Sequence, residues 1–469
     1  MCDLKRPNIL IVVLDAVRSD HLSCYGYGKK TTPNIDRLST GGILFENAFS
    51  TSCWTPPSHA SLFTGLYPSF HGVYTGDSVL DVPDRTLVEI LRDAGYRTLG
   101  ISSIPQLSVT KKFNRGFDEY VEAWKLNQTP RTALKWKAKI RSFLHLDDPV
   151  TRYIYEQIRR WIKEHNPSMP FFIFANMNTA HSPYDPPTRY LSRHATRTTN
   201  FRITKKLKGL AARDGYRYMA RQMEVTEDEF RGLKNLYDGE ITYLDELLGY
   251  LFVFLQAEDL LEDTLILLLA DHGENFGDHG LMYHQFCLYD SLIRIPMIWH
   301  YPRTIPHGER ISSLASIVDV MPSILRLAAL PPESYSSTQG TCLFPGPPSS
   351  HPEGRNFVVA EYQAPPGVFN YFRRMTPDFD QSVYERGYKS IRTPHHKYIV
   401  SSKGHEELYD LAKDPKEQNN IVHLLPVVTD SLRQILFKTV RDFEKERRAK
   451  SSKEEDGATI QQLKALGYL

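Results

Sequence analysis

The chain contains short runs of exclusively apolar residues, and the first run, Ile9 to Leu14, constrains the fold more than any other feature. A strand without a polar face has to be covered on both sides, as in the parallel sheets of α/β proteins. Asp15 follows at once, so the run is too short for a membrane span of about 20 apolar residues. Similar reasoning predicts three later strands: Tyr96 to Ile101, Phe171 to Met177 and Thr264 to Ala270.

Helical segments alternate with these strands. Pro33 follows Thr32 and marks a helix start, because Thr is a favoured cap and Pro fits the first turn. With 469 residues, 41% of them hydrophobic, the chain can bury a large core. The alternation predicts an α/β fold in which a doubly wound sheet has helices on both faces. Further helices are predicted at Thr86 to Ala94, Leu233 to Phe254 and Ile317 to Leu330.

A stretch rich in Pro, Gly and Ser, Leu343 to Gly354, marks a boundary. Residues 1–345 are predicted to form the main α/β domain. Residues 355–469 contain short strand-like runs and a helix near Thr429 to Lys445. They are predicted to form a C-terminal subdomain with a small antiparallel sheet.

Two basic insertions, about residues 124–163 and 188–221, interrupt the main domain. The second carries many Arg and Lys residues against the single acid Asp214. Such a segment is either a solvated helical face or a cationic lid over an anionic substrate. The sequence leaves both interpretations open.

The overall charge and the cysteines limit the partners and the compartment. A net charge of +2 gives no argument for binding nucleic acid or an anionic membrane. The five cysteines are odd in number and form no CxxC pair, so a disulfide framework is not expected. Reduced thiols predict a cytoplasmic protein. We expect no membrane anchor, and the oligomeric state stays open.

Polar side chains follow three of the four predicted strands at the point where each strand ends. Asp15 follows the first strand, His181 follows the third, and Asp271 with His272 follows the fourth. In open α/β sheets, ligands bind at the edge where the strands have their carboxyl ends. Each residue alone is more often a helix cap or a structural histidine, whereas three groups at one edge indicate a site.

Thr55 precedes two prolines and an apparent helix start. This turn would present its hydroxyl near a helix N-terminus, where backbone N–H groups favour anions. A hydroxyl must be activated before it can act as a nucleophile. A divalent metal ion held by Asp15, Asp271 and His272, with Thr55 as a fourth ligand, would activate it. These ligands suit Mn²⁺, Zn²⁺ or Mg²⁺, with Ca²⁺ as a further candidate.

These residues belong to a series of motifs that resembles the sulfatase branch of the alkaline phosphatase superfamily. The resemblance implies that family's fold, a metal-dependent hydrolase of sulfuric or phosphoric esters, and a small anionic ester as the substrate. The matching segments follow the family's order along almost the whole chain and include Asn8 to Tyr25, Thr32 to Leu38, Thr55 to Gly65, Asp271 to Gly280 and Glu407 to Asp410.

Several positions depart from the typical sulfatase, in which a Cys or Ser is oxidised to formylglycine. Matching Thr64-Gly65 to the family's Thr-Gly places Thr55 at the nucleophile position and His59 where an Arg is expected. Cys53 lies two residues too early, and Ala16 replaces the second of two adjacent Asp residues. A Thr nucleophile is similar instead to relatives that transfer phosphoryl groups. Formylglycine is therefore not expected, and one strong metal site is.

The resemblance implies a catalytic cycle in which Thr55 attacks the ester and water then releases the covalent intermediate. His181 or His284 would protonate the leaving oxygen, and His284 stands where the family places a substrate-binding cation. His59 and Arg18 would stabilise the charge on the transferred group.

Alternatives to this cycle stay open. Arg18 has a second interpretation as a structural ion pair with Asp20 or Asp36. The favoured function is hydrolysis of phosphate mono- or diesters. The alternatives are a sulfuric ester hydrolase without formylglycine, a binding module without turnover and a phosphoryl transferase.

Overall fold

A computed structural model describes residues 6–127, 148–194, 206–344 and 354–465. The first eleven strands are β1 (Asn8–Leu14), β2 (Ile43–Phe49), β3 (Arg97–Ser102), β4 (Glu119–Glu122), β5 (Phe171–Met177), β6 (Thr264–Leu269), β7 (Asn275–Phe276), β8 (Met282–Tyr283), β9 (Arg294–Ile295), β10 (Met297–His300) and β11 (Glu309–Ser316). Nine of them form one sheet in the order β11-β2-β10-β6-β1-β5-β3-β4, with β9 paired to β2. β7 and β8 pair separately.

The predicted strands occupy the centre of the nine-stranded sheet. β1 lies between β5 and β6, runs parallel to both, and is buried along its whole length. β5 has the predicted bounds, β3 is shifted by one residue at both ends, and β6 ends one residue earlier than predicted. An entirely apolar strand needs this cover on both faces. The predicted α/β sheet is therefore confirmed.

Part of the sheet is antiparallel, which the sequence analysis did not predict. β10 pairs antiparallel with β6 and with β2, whereas β11 runs parallel to β2. β2 was not predicted, because Glu46 and Asn47 interrupt its apolar run. β10 has only four residues, too few for a periodic pattern. The sheet is therefore mixed.

Helices cover both faces of the sheet. Thr86 caps the fourth helix in a capping box with Glu89, which explains the predicted start there. The predicted helix Ile317 to Leu330 begins with a 3-10 turn, Ile317–Asp319. The α-helices are α1 (Pro33–Thr40), α2 (Thr55–Thr64), α3 (Pro68–His71), α4 (Leu87–Asp93), α5 (Pro149–Glu164), α6 (Thr188–His194), α7 (Gly215–Met219), α8 (Glu227–Ala257), α9 (Asp290–Ile293), α10 (Val320–Leu327), α11 (Pro366–Met375) and α12 (Pro426–Ala465).

The C-terminal part contains a four-stranded sheet. Its strands are neighbours in the order of the sequence, and every pair is antiparallel. Leu432, Leu436 and Val440 of α12 pack against it in one apolar cluster. The predicted small sheet with a terminal helix is confirmed. The boundary itself stays a prediction, because residues 345–353 lie outside the described residues. The strands are β12 (Val358–Tyr362), β13 (Tyr388–Arg392), β14 (His396–Ser401) and β15 (Glu406–Asp410).

Both basic insertions lie partly outside the described residues, at positions 128–147 and 195–205. In the described part of the second insertion, basic side chains pair with acids, most of them on α8. These pairs support the interpretation as a solvated face. They join Arg189 to Glu246, Lys206 to Glu229 and Lys208 to Asp185.

Cys24, Cys53, Cys287 and Cys342 are free thiols, and Cys2 lies outside the described residues. Within the described ranges, no helix combines the length and the apolar character that a membrane span requires. The cytoplasmic compartment stays a prediction.

Candidate active site

The polar residues that follow the central strands meet at one edge of the sheet. Because β6, β1 and β5 are adjacent and parallel, Asp271, Asp15 and His181 leave the sheet on the same side. The Asp15 N–H donates to the Met177 carbonyl at 2.9 Å, which ties it to the end of β5. Ligand atoms of Asp15, Asp271 and His272 lie within 4.8 Å of one another. The structure thus brings together the three predicted metal ligands.

Each carboxylate in this cluster has one oxygen held by the protein and one without a partner. Asp15 Oδ2 accepts from Asn176 Nδ2 at 3.1 Å, while Asp15 Oδ1 has no hydrogen bond. Asp271 Oδ1 accepts from the N–H groups of Ala16 and His272, at 3.3 and 3.0 Å, while its Oδ2 has none. These two free oxygens lie 3.7 and 3.4 Å from His272 Nε2. Buried, unpartnered carboxylate oxygens are costly unless a cation binds them.

The electrostatics of the cluster also fit a cation. The His272 Nδ1–H donates to the Gly273 carbonyl at 2.9 Å, which leaves a lone pair on Nε2. Burial, with His284 nearby, lowers the pKa of His272 to about 3. Burial also raises the pKa of Asp15 to about 6 and that of Asp271 to about 7. A bound cation would favour the ligand forms of all three groups, so the donor set fits one divalent metal ion.

Thr55 is the first residue of α2, and its hydroxyl faces the same cluster. Its Oγ1 lies 3.2 Å from His272 Nε2. Pro56 and Pro57 occupy the first turn of α2, where their fixed φ suits a helix start. Because proline has no N–H, this N-terminus offers an anion fewer amide donors than the sequence analysis expected.

Cys53 lies apart from this cluster. Its side chain is fully buried in the hydrophobic core and does not line the cavity beside Thr55. Burial raises the pKa of its thiol well above the usual value, which disfavours the reactive thiolate.

A cavity of about 460 Å³ opens beside Thr55, and His181 and His284 line it. The His284 ring stacks on His272 with ring centroids 4.5 Å apart and meets the edge of His181 at 4.8 Å. His284 Nδ1 lies 3.3 Å from Glu274 Oε1. Burial lowers the pKa of His284 well below its usual value. For His181, burial acts in the same direction, but nearby carboxylates outweigh it and raise the pKa.

His59 is a fully buried residue of α2 whose ring contacts the start of the helix. Its Nδ1–H donates to the Thr55 carbonyl at 3.0 Å, and its Nε2 is buried without a partner. Burial lowers the pKa of the ring to about 3. A neutral imidazole protonated at Nδ1 has no proton on Nε2 to offer an anion. In this form His59 would supply no positive charge to the site, and its role in stabilising the transferred group stays a prediction.

Arg18 is engaged in a network outside the cavity. Its guanidinium donates twice to Asp20, at 2.8 Å each, and once each to Asp278 and the Glu274 carbonyl, at 2.9 Å. The structure therefore favours the structural ion pair over the charge-stabilising role. Asp278 is the second acid that Arg18 contacts. Asp36, the other partner that the sequence suggested, accepts a hydrogen bond from the Thr32 hydroxyl.

Sequence reasoning missed several supporting residues. Ala16 adopts a left-handed conformation, with φ of 61°, which is costly for a residue other than glycine. The Tyr237 hydroxyl holds this turn, because it donates to the Ala16 carbonyl at 2.7 Å and accepts from the Arg18 N–H at 2.8 Å. Among these supporting residues, Asn176 could have been noticed in the sequence, because it is a lone polar residue in an apolar strand.

Comparisons with known proteins identify the family of this chain. The model of the family described as Sulfatase matches residues 7–330. A second model, described as N-sulphoglucosamine sulphohydrolase, C-terminal, matches residues 277–442. The chain therefore belongs to the sulfatase family of the alkaline phosphatase superfamily, a family of metal-dependent hydrolases.

Individual relatives extend over nearly the whole chain. Arylsulfatase K of Bos taurus is 26% identical over 461 residues, which cover 92% of this chain and 81% of the relative. The phosphonate monoester hydrolase of Agrobacterium radiobacter has a similar structure, with a TM-score of 0.73, 22% identity and 94% and 96% coverage. A protein in complex with its substrate D-glucosamine-2-N,6-O-disulfate has a TM-score of 0.71, 20% identity and 94% and 99% coverage. The structural likenesses establish a shared fold.

Proposed function

We propose that this sulfatase-family hydrolase cleaves phosphate mono- or diesters through a covalent intermediate on Thr55. One observation carries the proposal: Thr55 Oγ1 lies 3.2 Å from His272 Nε2, in the cluster whose carboxylate oxygens lack partners. Cys53 is buried in the core and cannot take this role without a rearrangement of the turn. A threonine hydroxyl needs no conversion to formylglycine.

Asp15, Asp271 and His272 would hold one divalent metal ion, with Thr55 as the fourth protein ligand. When bound, such an ion supplies Lewis-acid stabilisation of the transferred group and lowers the pKa of the attacking hydroxyl. Two carboxylates and an imidazole suit Mn²⁺, Zn²⁺ or Mg²⁺.

The chain's own residues then account for the transfer. Thr55 Oγ1 gives its proton to solvent water and forms a bond to phosphorus while the bond from phosphorus to the leaving oxygen breaks. His181 gives a proton to that oxygen, because it lines the cavity that contains Thr55 and nearby carboxylates raise its pKa, whereas burial lowers the pKa of His284. Water next attacks phosphorus, which restores the Thr55 hydroxyl and releases phosphate, or a phosphate monoester when the substrate is a diester.

The cavity beside Thr55 would receive the leaving group. Aromatic and amide side chains line it, including Trp54, Tyr216, Tyr371, Gln106 and Gln285. Apolar walls with a few polar groups are typical of sites for small ligands. A small anionic ester would thus place its charged group at the cluster and its alcohol in the cavity.

Hydrolysis of sulfate esters is the second candidate. It is favoured by the relative described as arylsulfatase K and by the neighbour in complex with a sulfated glucosamine. Sulfate and phosphate esters share a tetrahedral shape and differ in charge, so one pocket can accept both.

The test is an activity panel with an aryl phosphate, an aryl phosphodiester, a phosphonate monoester and an aryl sulfate, each with and without Mn²⁺. We expect the highest kcat/KM with a phosphate ester. We also expect Thr55→Ala to lose a factor of about 10⁴ or more in kcat, as other enzymes do without their nucleophile. Cys53→Ala is the matched control and should stay close to the wild type. An active Thr55→Ala with an inactive Cys53→Ala would contradict the proposal.

A further inference from the structure

β5 contains one polar side chain, Asn176, in an otherwise apolar strand. The residue is fully buried and sits next to Val13 of β1 in the sheet register. A polar side chain in a strand covered on both faces costs stability unless it is hydrogen-bonded. The partners of Asn176 therefore indicate what it does.

Both ends of the Asn176 amide are held. Its Nδ2 donates to Asp15 Oδ2 at 3.1 Å, and its Oδ1 accepts from the Ser103 hydroxyl at 2.5 Å. The orientation of the amide is unambiguous, because an ionised carboxylate only accepts hydrogen bonds and so must face the NH₂ group. Ser103, just beyond β3, thus fixes Asn176, and Asn176 fixes Asp15.

This chain of contacts leaves Asp15 with one oxygen for a cation. Asp15 Oδ2 is occupied by Asn176, and only Oδ1 is without a partner. Asp271 is restricted in the same way, because backbone N–H groups of Ala16 and His272 occupy its Oδ1. Beside the Thr55 hydroxyl, the cluster therefore offers two single carboxylate oxygens and one imidazole nitrogen.

The number of available oxygens bears on the choice of metal. Ca²⁺ takes six to eight oxygen ligands and often binds both oxygens of a carboxylate. Mn²⁺ and Zn²⁺ accept imidazole nitrogen and sites with fewer protein ligands. Restricting each carboxylate to one oxygen therefore disfavours Ca²⁺.

We infer that Asn176 is a positioning residue that restricts Asp15 to one metal-binding oxygen and thereby makes the site prefer Mn²⁺ or Zn²⁺ to Ca²⁺. The inference rests on the metal cluster of the proposed function. It assigns a role in metal choice to a side chain that touches neither the substrate nor the metal.

The test is calorimetric titration of the metal-free full chain with Mn²⁺ and, separately, with Ca²⁺. Asn176→Ala should lower the Mn²⁺ affinity by about 10- to 100-fold, the usual effect of losing a hydrogen bond to a metal ligand. The Ca²⁺ affinity should fall much less, because the released Asp15 can offer both oxygens. The ratio of the two affinities should therefore shift towards Ca²⁺.

Two further variants separate this role from a structural one. Ser103→Ala removes the outer contact and should shift the ratio in the same direction by less, and it decides the question if Asn176→Ala does not fold. Thr264→Val is the matched control, because this buried β6 hydroxyl donates to the Leu260 carbonyl and not to the cluster. It should lower stability and leave the ratio unchanged.

An unchanged ratio in the folded Asn176→Ala, or an equal shift in Thr264→Val, would overturn the inference. If the wild-type chain binds neither ion, the metal site of the proposed function is contradicted. This result is distinct from an unchanged ratio in Asn176→Ala, which contradicts only the role of Asn176.

Discussion

Two groups of carboxylates with little exposure to solvent differ in the cations that lie beside them. Near the C-terminal sheet, Lys397 Nζ lies 2.7 Å from Asp290 and 2.7 Å from Glu417. At the edge of the large sheet, histidines are the basic side chains that the described part of the chain places within ion-pair distance of Asp15 and Asp271. In the first group the chain itself supplies a lysine, whereas in the second only histidines of the described residues lie near the carboxylates.

The difference shows how a structural ion cluster can be told from a candidate site. Lys397 and Arg392 hold the pKa of Asp290 at about 2, although burial acts against them. Burial raises the pKa of Asp271 to about 7, and the hydrogen bonds that act against burial come from Ala16, His272 and Thr55. A buried acid that the chain leaves without a strong cation indicates that the cation comes from solution.

The largest effect on stability is expected at the structural cluster. Lys397→Met leaves the buried Glu417 without its cation and Asp290 with Arg392 alone, so the free energy of unfolding should fall by about 3–5 kcal/mol. Lys413→Met is the matched control, since Lys413 is 86% exposed and pairs with Asp410 on the surface. Urea denaturation measures both variants. Equal stabilities would show that the Lys397 cluster is not a structural one.

Mn²⁺ should stabilise the folded chain only by binding at the cluster of Asp15, Asp271 and His272. Mn²⁺ at about 100 times its dissociation constant should raise the free energy of unfolding by about 2.7 kcal/mol. Asp271→Ala should abolish this gain, and Glu417→Gln should keep it. Thermal denaturation with and without Mn²⁺ measures the gain. Full retention of the gain by Asp271→Ala would place the metal elsewhere.

The structural cluster should also make stability depend on pH. Burial raises the pKa of Glu417 from 4.5 to about 7, so the folded chain keeps a proton that the unfolded chain releases in this range. The free energy of unfolding should therefore fall as the pH rises between these values, by at most about 1.4 kcal/mol per pH unit. Glu417→Gln should show a shallower slope in urea titrations. Parallel curves would rule out a titrating Glu417.

The smallest effect is expected in the basic insertion. Lys206 already pairs with Glu229, and surface pairs contribute about 0–1 kcal/mol. Lys206→Glu should therefore leave KM for an anionic substrate almost unchanged, even at low salt. A large rise in KM that disappears with added salt would restore the interpretation of this segment as a cationic lid.

The sequence was most informative where the local pattern is also the structural cause. The apolar run at β1 and the residues that follow β1, β5 and β6 predicted both the sheet centre and the meeting of Asp15, Asp271 and His272. Short or mixed strands such as β10 were missed, because their pairing depends on distant partners. The state of His59 was also beyond the sequence, since its charge depends on burial and on the carbonyl that its Nδ1–H meets.

The covalent role of Thr55 is the central claim, and mass spectrometry of the enzyme quenched in acid during turnover tests it most directly. With an aryl phosphate as substrate, peptides of the wild type and of Cys53→Ala should carry phosphate on Thr55, and Thr55→Ala should carry none. Position 53 of the wild type should contain an unmodified cysteine. Formylglycine at Cys53 together with an unmodified Thr55 throughout turnover would contradict the account.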